Sequence, residues 1–179
     1  MLSVSSLESR HTALILIDMM PRIMALDTAP LTGSEVLERV VSLADATRLR
    51  GGLVVHVRVE RPGVDVQPEG SELASELNPR AGDLQIVKHT VGAFHNTGLD
   101  AALRSRGILN VALAGIATNF GVESTGRAAD DHGYNTYYLT DAMTGFDAHA
   151  HDFAVSYVFP QFGTCSTSVD FVAALGRTM

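Results

Sequence analysis

Asn110–Gly115 (NVALAG), followed at once by 116–125 (IATNFGVEST), is the stretch of sequence that decides the fold. The first six residues form a short, uncharged and largely apolar run, which is typical of a strand buried on both faces. Asn119–His132 then has the composition of a helix and stops at Gly133. A buried strand that passes directly into a helix is the repeating unit of α/β proteins with a parallel sheet.

The same alternation of strands and helices fills the rest of the chain. Five further strands are predicted at Ala13–Ile17, Leu53–Val59, Leu84–Val87, Thr136–Leu139 and Phe162–Ser166. A loop follows the first strand, and helices are predicted from Gly33 to Gly51, at Leu99–Leu103, at His149–Phe159 and at Ser168–Leu175, with one helical turn in Glu72–Leu77. Six strands joined by helical crossovers predict a doubly wound, mainly parallel six-stranded sheet with helices on both faces. Residues 1–179 fit a single domain of ordinary size.

Composition indicates the class of protein. The chain is 46% hydrophobic and 18% charged, as is usual for folded globular proteins. A net charge of −7 without any Lys/Arg cluster argues against a nucleic-acid partner. One cysteine excludes an internal disulfide and suits a reducing compartment. The N-terminal MLSVSSLESRHT lacks the pattern of a secretory signal, and no apolar run approaches the roughly 20 residues that span a bilayer. We therefore predict a cytoplasmic protein without a membrane partner.

Residues whose side chains could take part in catalysis or binding lie at the ends of the predicted strands, where ligands bind in such sheets. Asp18 follows four aliphatic residues, so burial would raise its pKa toward the range useful for proton transfer. The alternative role for Asp18 is to cap the following turn. Lys88 could balance Asp18 and hold an anionic substrate or an oxyanion, or it could lie in solvent. Asp141 and the 116–121 turn also follow strands directly and are further candidates.

Taken together, these elements resemble the isochorismatase-like (cysteine hydrolase) family, which includes nicotinamidases, carbamoylsarcosine amidases and isochorismatases. The resemblance spans nearly the whole chain and implies a Rossmann-like fold. It also implies that Asp18 is the acid/base, that Lys88 assists it, and that Gly121 occupies the position of the nucleophilic cysteine. It rests on LILIDMM at 14–20, KHTVGAF at 88–94, GIATNFGVEST at 115–125, LTDAMTGF at 139–146 and FPQFGT at 159–164.

Gly121 is the main departure from the family pattern. Amide hydrolysis through a thioester needs a nucleophile, and glycine offers none. The one cysteine, Cys165, lies on the last predicted strand and is expected in the core. True isochorismatases hydrolyse a vinyl ether by acid catalysis and attack of water, which needs Asp18 and Lys88 but no thiolate. We therefore expect a hydrolase of a small polar or anionic metabolite, with hydrolysis of an isochorismate-like vinyl ether as the leading case. The same residues are equally compatible with a pseudoenzyme, derived from a cysteine amidase, that binds a small molecule without turning it over.

The resemblance also implies a cis peptide bond between Ile116 and Ala117 and an oxyanion hole in that turn. We expect contacts to substrate or oxyanion from Ile116, Ala117, Thr118, Phe120, Met20 and Phe94, with a core position as the alternative for the Met and Phe side chains. Arg58 and Arg61 could hold a substrate carboxylate, with plain surface positions as the alternative. The family's metal-binding Asp-x-His element is missing from HVRVERPG at 56–63, so we expect no metal, no cofactor and a core position for His56. The expected partners are a small-molecule substrate and further copies of the chain in a dimer or tetramer.

Overall fold

The structure is a computed structural model that describes residues 6–176. Residues 1–5, which begin the segment used to argue against a secretory signal, and residues 177–179 lie outside that range. Within residues 6–176, none of the helices combines the length and the apolar character that crossing a bilayer requires.

Six parallel strands form one sheet in the order β3-β2-β1-β4-β5-β6. This arrangement confirms the predicted doubly wound sheet. The order reverses between β1 and β4, and at such a switch point the loops at the carboxyl ends diverge and leave a crevice. The strands are β1 Thr12–Ile17, β2 Leu53–Val59, β3 Leu84–Lys88, β4 Asn110–Ile116, β5 Asn135–Thr144 and β6 Thr164–Ser166.

Helices cover both faces of the sheet. On one face, Leu14 and Leu16 of β1 pack with the helix that precedes β2 and with the last helix; on the other, Ile15 and Ile17 pack with the helices around β4. The alternation of side chains along a strand explains why β1 is apolar throughout and buried on both sides. The helices are α1 Pro21–Met24, α2 Gly33–Leu49, α3 Leu99–Arg104, α4 Glu123–Asp131, α5 Ala148–Phe153, α6 Phe159–Phe162 and α7 Ser168–Ala174.

Local sequence explains where the longest helix begins and ends. The Thr32 hydroxyl accepts a hydrogen bond from the Glu35 backbone N–H, and the Glu35 carboxylate accepts one from the Thr32 N–H. This capping box satisfies backbone donors that the first turn of α2 leaves free. Gly51 ends the helical stretch with a positive φ of 79°, a conformation that glycine adopts without steric cost.

Several predicted boundaries are wrong. The loop after β1 begins with α1, whose Pro21 is pre-organised for the first turn of a helix. The single helix predicted at His149–Phe159 is interrupted by a π-helical segment at Ala154–Val158. The helix predicted from Asn119 likewise starts with a π-helical turn, Thr118–Val122, before α4. Strand β6 is shorter than predicted, since Phe162 belongs to α6.

Strand β5 runs beyond Leu139 to Thr144, because a register shift opposite Leu113 and Gly115 lets it continue pairing with β4. Asp141 therefore lies inside a strand. Its Oδ1 accepts hydrogen bonds from the backbone N–H of Ser168 at 2.7 Å and from the Ser168 hydroxyl at 2.9 Å, at the start of α7. The expectation that Asp141 belongs to the ligand-binding end of the sheet is wrong.

Candidate active site

Asp18 leaves β1 at the switch point of the sheet in an unusual backbone conformation. Its φ is 50°, in the left-handed region that side chains other than glycine rarely adopt. The backbone N–H of Asp18 donates to the Val57 carbonyl at 2.9 Å, which holds the residue against β2. Strained conformations of this kind concentrate at functional sites, where the surrounding structure imposes them.

Lys88, the last residue of β3, reaches over the end of β2 to meet Asp18. Its Nζ lies 2.8 Å from Asp18 Oδ2 and also donates to the Val91 carbonyl at 2.6 Å. Both side chains are almost completely buried. Burial raises the pKa of the Asp18 carboxyl, while the Lys88 ammonium and the Arg22 guanidinium each lower it in part. Asp18 Oδ1 is buried and has no hydrogen-bond partner among the described residues, whereas Oδ2 is held by Lys88.

The turn after β4 brings Gly121 against this ion pair. A Cβ atom at position 121 would lie 3.2 Å from Lys88 Nζ and 3.4 Å from Asp18 Oδ2. The peptide bond between Ile116 and Ala117 is cis. The Thr125 hydroxyl donates to the Gly121 carbonyl at 2.6 Å and accepts from the Ala93 N–H at 3.1 Å. Thr125 thus ties the turn to the segment after Lys88, and the three residues predicted to be catalytic converge.

A cavity of about 310 Å³ opens above the pair. The Phe120 ring is exposed at the mouth of the cavity. The Phe120 backbone N–H donates to the Ala117 carbonyl at 3.1 Å and is therefore already occupied. Six of the predicted site residues line the cavity: Asp18, Lys88, Ile116, Ala117, Phe120 and Gly121.

Three other predicted contacts are not part of the cavity wall. Met20 is fully buried at the start of α1. Phe94 packs in the core, with its ring 5.1 Å from that of His132 and 5.9 Å from that of Tyr134. Thr118 is buried, and its hydroxyl lies 2.8 Å from His151 Nδ1. Apolar side chains in these motifs stabilise the fold, as most buried Met and Phe residues do.

The two predicted carboxylate-binding arginines lie outside the cavity. Arg58 pairs with Glu60 at 2.5 Å and lines a different cleft, and Arg61 is exposed. Cys165 is half-buried against the core, where burial raises the pKa of its thiol, and it does not line the cavity either. Cys165 thus packs against the core without being fully buried, while the expected core position of His56 is confirmed, since it is buried beside Asp83 Oδ2 at 3.1 Å. In residues 6–176, no three His, Cys, Asp or Glu side chains form a group that could hold a metal ion.

Sequence reasoning missed half of the cavity wall. His89, Thr90 and Val91 belong to the KHTVGAF motif, and Phe146 ends the LTDAMTGF motif, so these motifs carried a usable signal. Ile23 and Val59 had no such signal, since their positions depend on α1 and on the end of β2. The missed lining residues are Ile23, Val59, His89, Thr90, Val91 and Phe146.

Comparison with known proteins places this geometry in a family. The isochorismatase domain model matches residues 12–170. The isochorismatase family protein YwoC of Bacillus subtilis strain 168 is 32% identical over 96% of this chain and 98% of its own length. The ureidoacrylate amidohydrolase RutB of Variovorax paradoxus is 41% identical over 56% of this chain and 40% of its own length.

A solved structure extends the likeness to the whole fold. An isochorismatase family protein from Burkholderia thailandensis superposes with a TM-score of 0.88 at 35% identity, over 97% of this chain and 99% of its own. The family match, the full-length relative and the superposed fold all point to the same family. The chain therefore belongs to the isochorismatase family of hydrolases.

Proposed function

We propose that this chain hydrolyses a small metabolite by acid–base catalysis at Asp18 and Lys88, without a covalent thioester, and that vinyl ether hydrolysis is the leading reaction. The observation that carries the proposal is the buried pair of Lys88 Nζ and Asp18 Oδ2, 2.8 Å apart, facing a glycine in a cavity open to small molecules.

The absence of a nucleophilic side chain at position 121 supports water as the attacking group. Gly121 has no side chain to form a covalent intermediate, and Cys165 lies outside the cavity wall. A carboxyl group that gives up and takes back one proton can serve both halves of a hydrolysis by water.

A vinyl ether suits an acid whose pKa is raised by burial. Protonated Asp18 would transfer its proton to the terminal CH₂ carbon, and the C=C π electrons would form the new C–H bond. The resulting oxocarbenium ion would add water, which returns one proton to Asp18. Collapse of the hemiketal breaks the C–O bond and releases an alcohol and a carbonyl compound that bears a new methyl group. The net change is the addition of one water, and the carboxyl ends in its starting state.

Lys88 has a positioning role and an electrostatic role in this scheme. Its ammonium bonds to Asp18 Oδ2, which orients the carboxyl and leaves Oδ1 available. Once Asp18 has given up its proton, the same ammonium stabilises the carboxylate that forms, because both side chains are almost completely buried.

A panel of vinyl ethers that includes phenyl vinyl ether tests the proposal, with phenol release followed by ultraviolet absorbance. In D₂O, the acetaldehyde product should carry one deuterium in its methyl group, since the enzyme's acid delivers that hydrogen to carbon. Asp18→Asn and Lys88→Met should each lower kcat/KM by at least about 100-fold, the usual contribution of a positioned acid–base group. Asp27→Asn, which changes an exposed carboxyl, is the matched control and should retain activity.

Full activity in Asp18→Asn would rule out the mechanism. Thermal stabilisation by the vinyl ethers with no product formed would instead favour a binding protein that has lost catalysis.

A further inference from the structure

We infer that the substrate joins its acid-labile group to an uncharged apolar ring, so that the site selects neutral ethers that carry a ring over ethers that carry a carboxylate. This inference rests on the proposed function and names the class of substrate for the same site. It follows from two features of the cavity, the pairing of its charges and the chemistry of its mouth.

The floor of the cavity offers little to a substrate anion. Among the described lining residues, Lys88 is the only lysine or arginine, and its ammonium already bonds to Asp18 and to the Val91 carbonyl. Arg22 influences Asp18 electrostatically, but its guanidinium donates to the Val59 carbonyl at 3.3 Å and it does not line the cavity. His89, at the exposed rim, lies with Nδ1 3.3 Å from the Glu60 carbonyl. A substrate carboxylate would lose water here and would have to compete with Asp18 and the Val91 carbonyl for the Lys88 ammonium.

The mouth of the cavity is apolar and accessible. The ring centroids of Phe120 and Phe146 are 6.1 Å apart, and their planes are inclined by 44°. Phe120 is 52% exposed, Phe146 is 41% exposed, and Val91 beside them is 54% exposed. Three large apolar side chains exposed around one cavity form a patch of the kind that marks a ligand site. Aromatic rings inclined to each other in this way can pack a third ring by edge and face.

The dimensions restrict the ligand further. A cavity of about 310 Å³ is at the small end of the range for small-molecule sites, and suits a single ring with a short chain. The ring would lie against Phe120 and Phe146, with its ether group directed toward Asp18 at the floor. A substrate that bears carboxylates, as isochorismate does, is a poorer match for this wall than a neutral ring.

Binding of two stable ethers of the same shape tests the inference on the full chain. Phenetole is a neutral aryl ether, and 4-ethoxybenzoate adds one carboxylate to the same skeleton. Dissociation constants from ligand-observed NMR titration should be at least about tenfold lower for phenetole. Phe120→Ala combined with Phe146→Ala should weaken phenetole binding by about tenfold, the effect of losing two aromatic contacts. Phe153→Ala removes a ring that is 53% exposed but outside the cavity, and should leave binding unchanged.

Equal or tighter binding of 4-ethoxybenzoate would overturn the inference, as would undiminished phenetole binding in the double Phe variant. Circular dichroism melting checks that each variant is folded, which is expected because these rings are partly exposed. Neither ether can be hydrolysed as a vinyl ether. A preference for phenetole without turnover of any vinyl ether would therefore contradict the proposed function alone. Turnover of a vinyl ether without that preference would contradict this inference alone.

Discussion

Lys88 Nζ and Asp18 Oδ2 lie 2.8 Å apart, between side chains that are almost completely buried. Removing one partner of such a pair leaves a buried charge without compensation, whereas removing both does not. We therefore expect Lys88→Met or Asp18→Asn alone to lower the free energy of unfolding by about 3 kcal/mol. The double variant should lose less than the sum of the two, as measured by urea denaturation at pH 7.

An exposed ion pair is the control for this cycle. Arg127 and Glu123 of α4 lie 2.9 Å apart on the surface of the helix. Their coupling energy should be below about 1 kcal/mol, because solvent screens the charges. A coupling energy between Asp18 and Lys88 as small as that of the surface pair would contradict the prediction.

Gly121→Cys should create a thiol of raised reactivity. Its Cβ would lie 3.2 Å from Lys88 Nζ, and a neighbouring ammonium lowers the pKa of a thiol. The native Cys165 differs, since burial raises the pKa of its thiol. Alkylation by iodoacetamide at pH 7, followed by peptide mass spectrometry, should modify the thiol introduced by Gly121→Cys faster than Cys165.

The same substitution carries a steric cost. The new Cβ would lie 2.8 Å from Cγ2 of Ile17, so that methyl group must shift. Overpacking of this kind costs about 1 to 3 kcal/mol of stability, and Gly121→Ala should show the cost without the thiol. Slower alkylation at position 121 than at Cys165 would mean that the new thiol does not face Lys88.

Gly126 of α4 allows the helix to pack closely on β5. A Cβ at this position would overlap the ring of Tyr138, which is fully buried and stacked on Phe159 with centroids 3.9 Å apart. Gly126→Ala should therefore lower the free energy of unfolding by about 1 to 3 kcal/mol in urea denaturation. Gly82→Ala is the matched control, since a Cβ there meets nothing within 4 Å, and its effect should stay within about 0.5 kcal/mol. Equal effects of the two substitutions on the free energy of unfolding would mean that the Tyr138 ring can move away from the added Cβ at little cost.

Stability should fall as the pH drops below neutrality. Burial lowers the pKa of His56, and Arg48 lowers it further, while Asp83 raises it in part. The unfolded chain, with an ordinary histidine pKa of about 6.5, therefore binds a proton that folded His56 resists. Because the unfolded state gains protons first, Tm should decrease from pH 7.5 to pH 5.5. The decrease should be smaller in His56→Gln and unchanged in His95→Gln, which alters an exposed histidine.

Below pH 5.5, protonation of Asp83 should lower Tm further. Burial alone would raise the pKa of Asp83, but hydrogen bonds from Arg48, the Arg80 N–H and His56 lower it overall. Its contribution to stability is thus present above the ordinary pKa of about 3.9 and is lost as the pH falls through the lowered value.

A His56→Gln variant whose Tm falls as steeply as that of the wild type between pH 7.5 and pH 5.5 would show that His56 is not the group that titrates.

Much of the fold and the centre of the site are predictable from sequence because they depend on local order. Buried parallel strands are continuous apolar runs, and Asp18 and Gly121 follow two of them closely. Once β1 and β4 are neighbours, the residues after them must meet, as the pairing of Ile17 with Gly115 illustrates.

The rest depends on tertiary packing that periodicity does not encode. Met20 and Phe94 are as suited to the core as to a cavity wall, and only the packing of α1 and α4 decides between them. Arg58 comes off a strand near the site, but its guanidinium pairs with Glu60 and belongs to another cleft. Asp141 follows an apolar run that continues as a strand once the register shifts against β4.

The position of β3 at the edge of the sheet has a consequence for the durability of the proposed site. Asp18 is held between central strands, whereas Lys88 ends a strand that pairs only with β2. Edge strands open locally at a lower free energy than central ones, so fraying of β3 would withdraw the cation while the rest of the molecule stays folded. Mild heating should then silence catalysis before global unfolding begins, with amide hydrogens around Lys88 exchanging ahead of those around Ile17. The Asp18–Lys88 pair would then be only as stable as β3, the edge strand that carries Lys88.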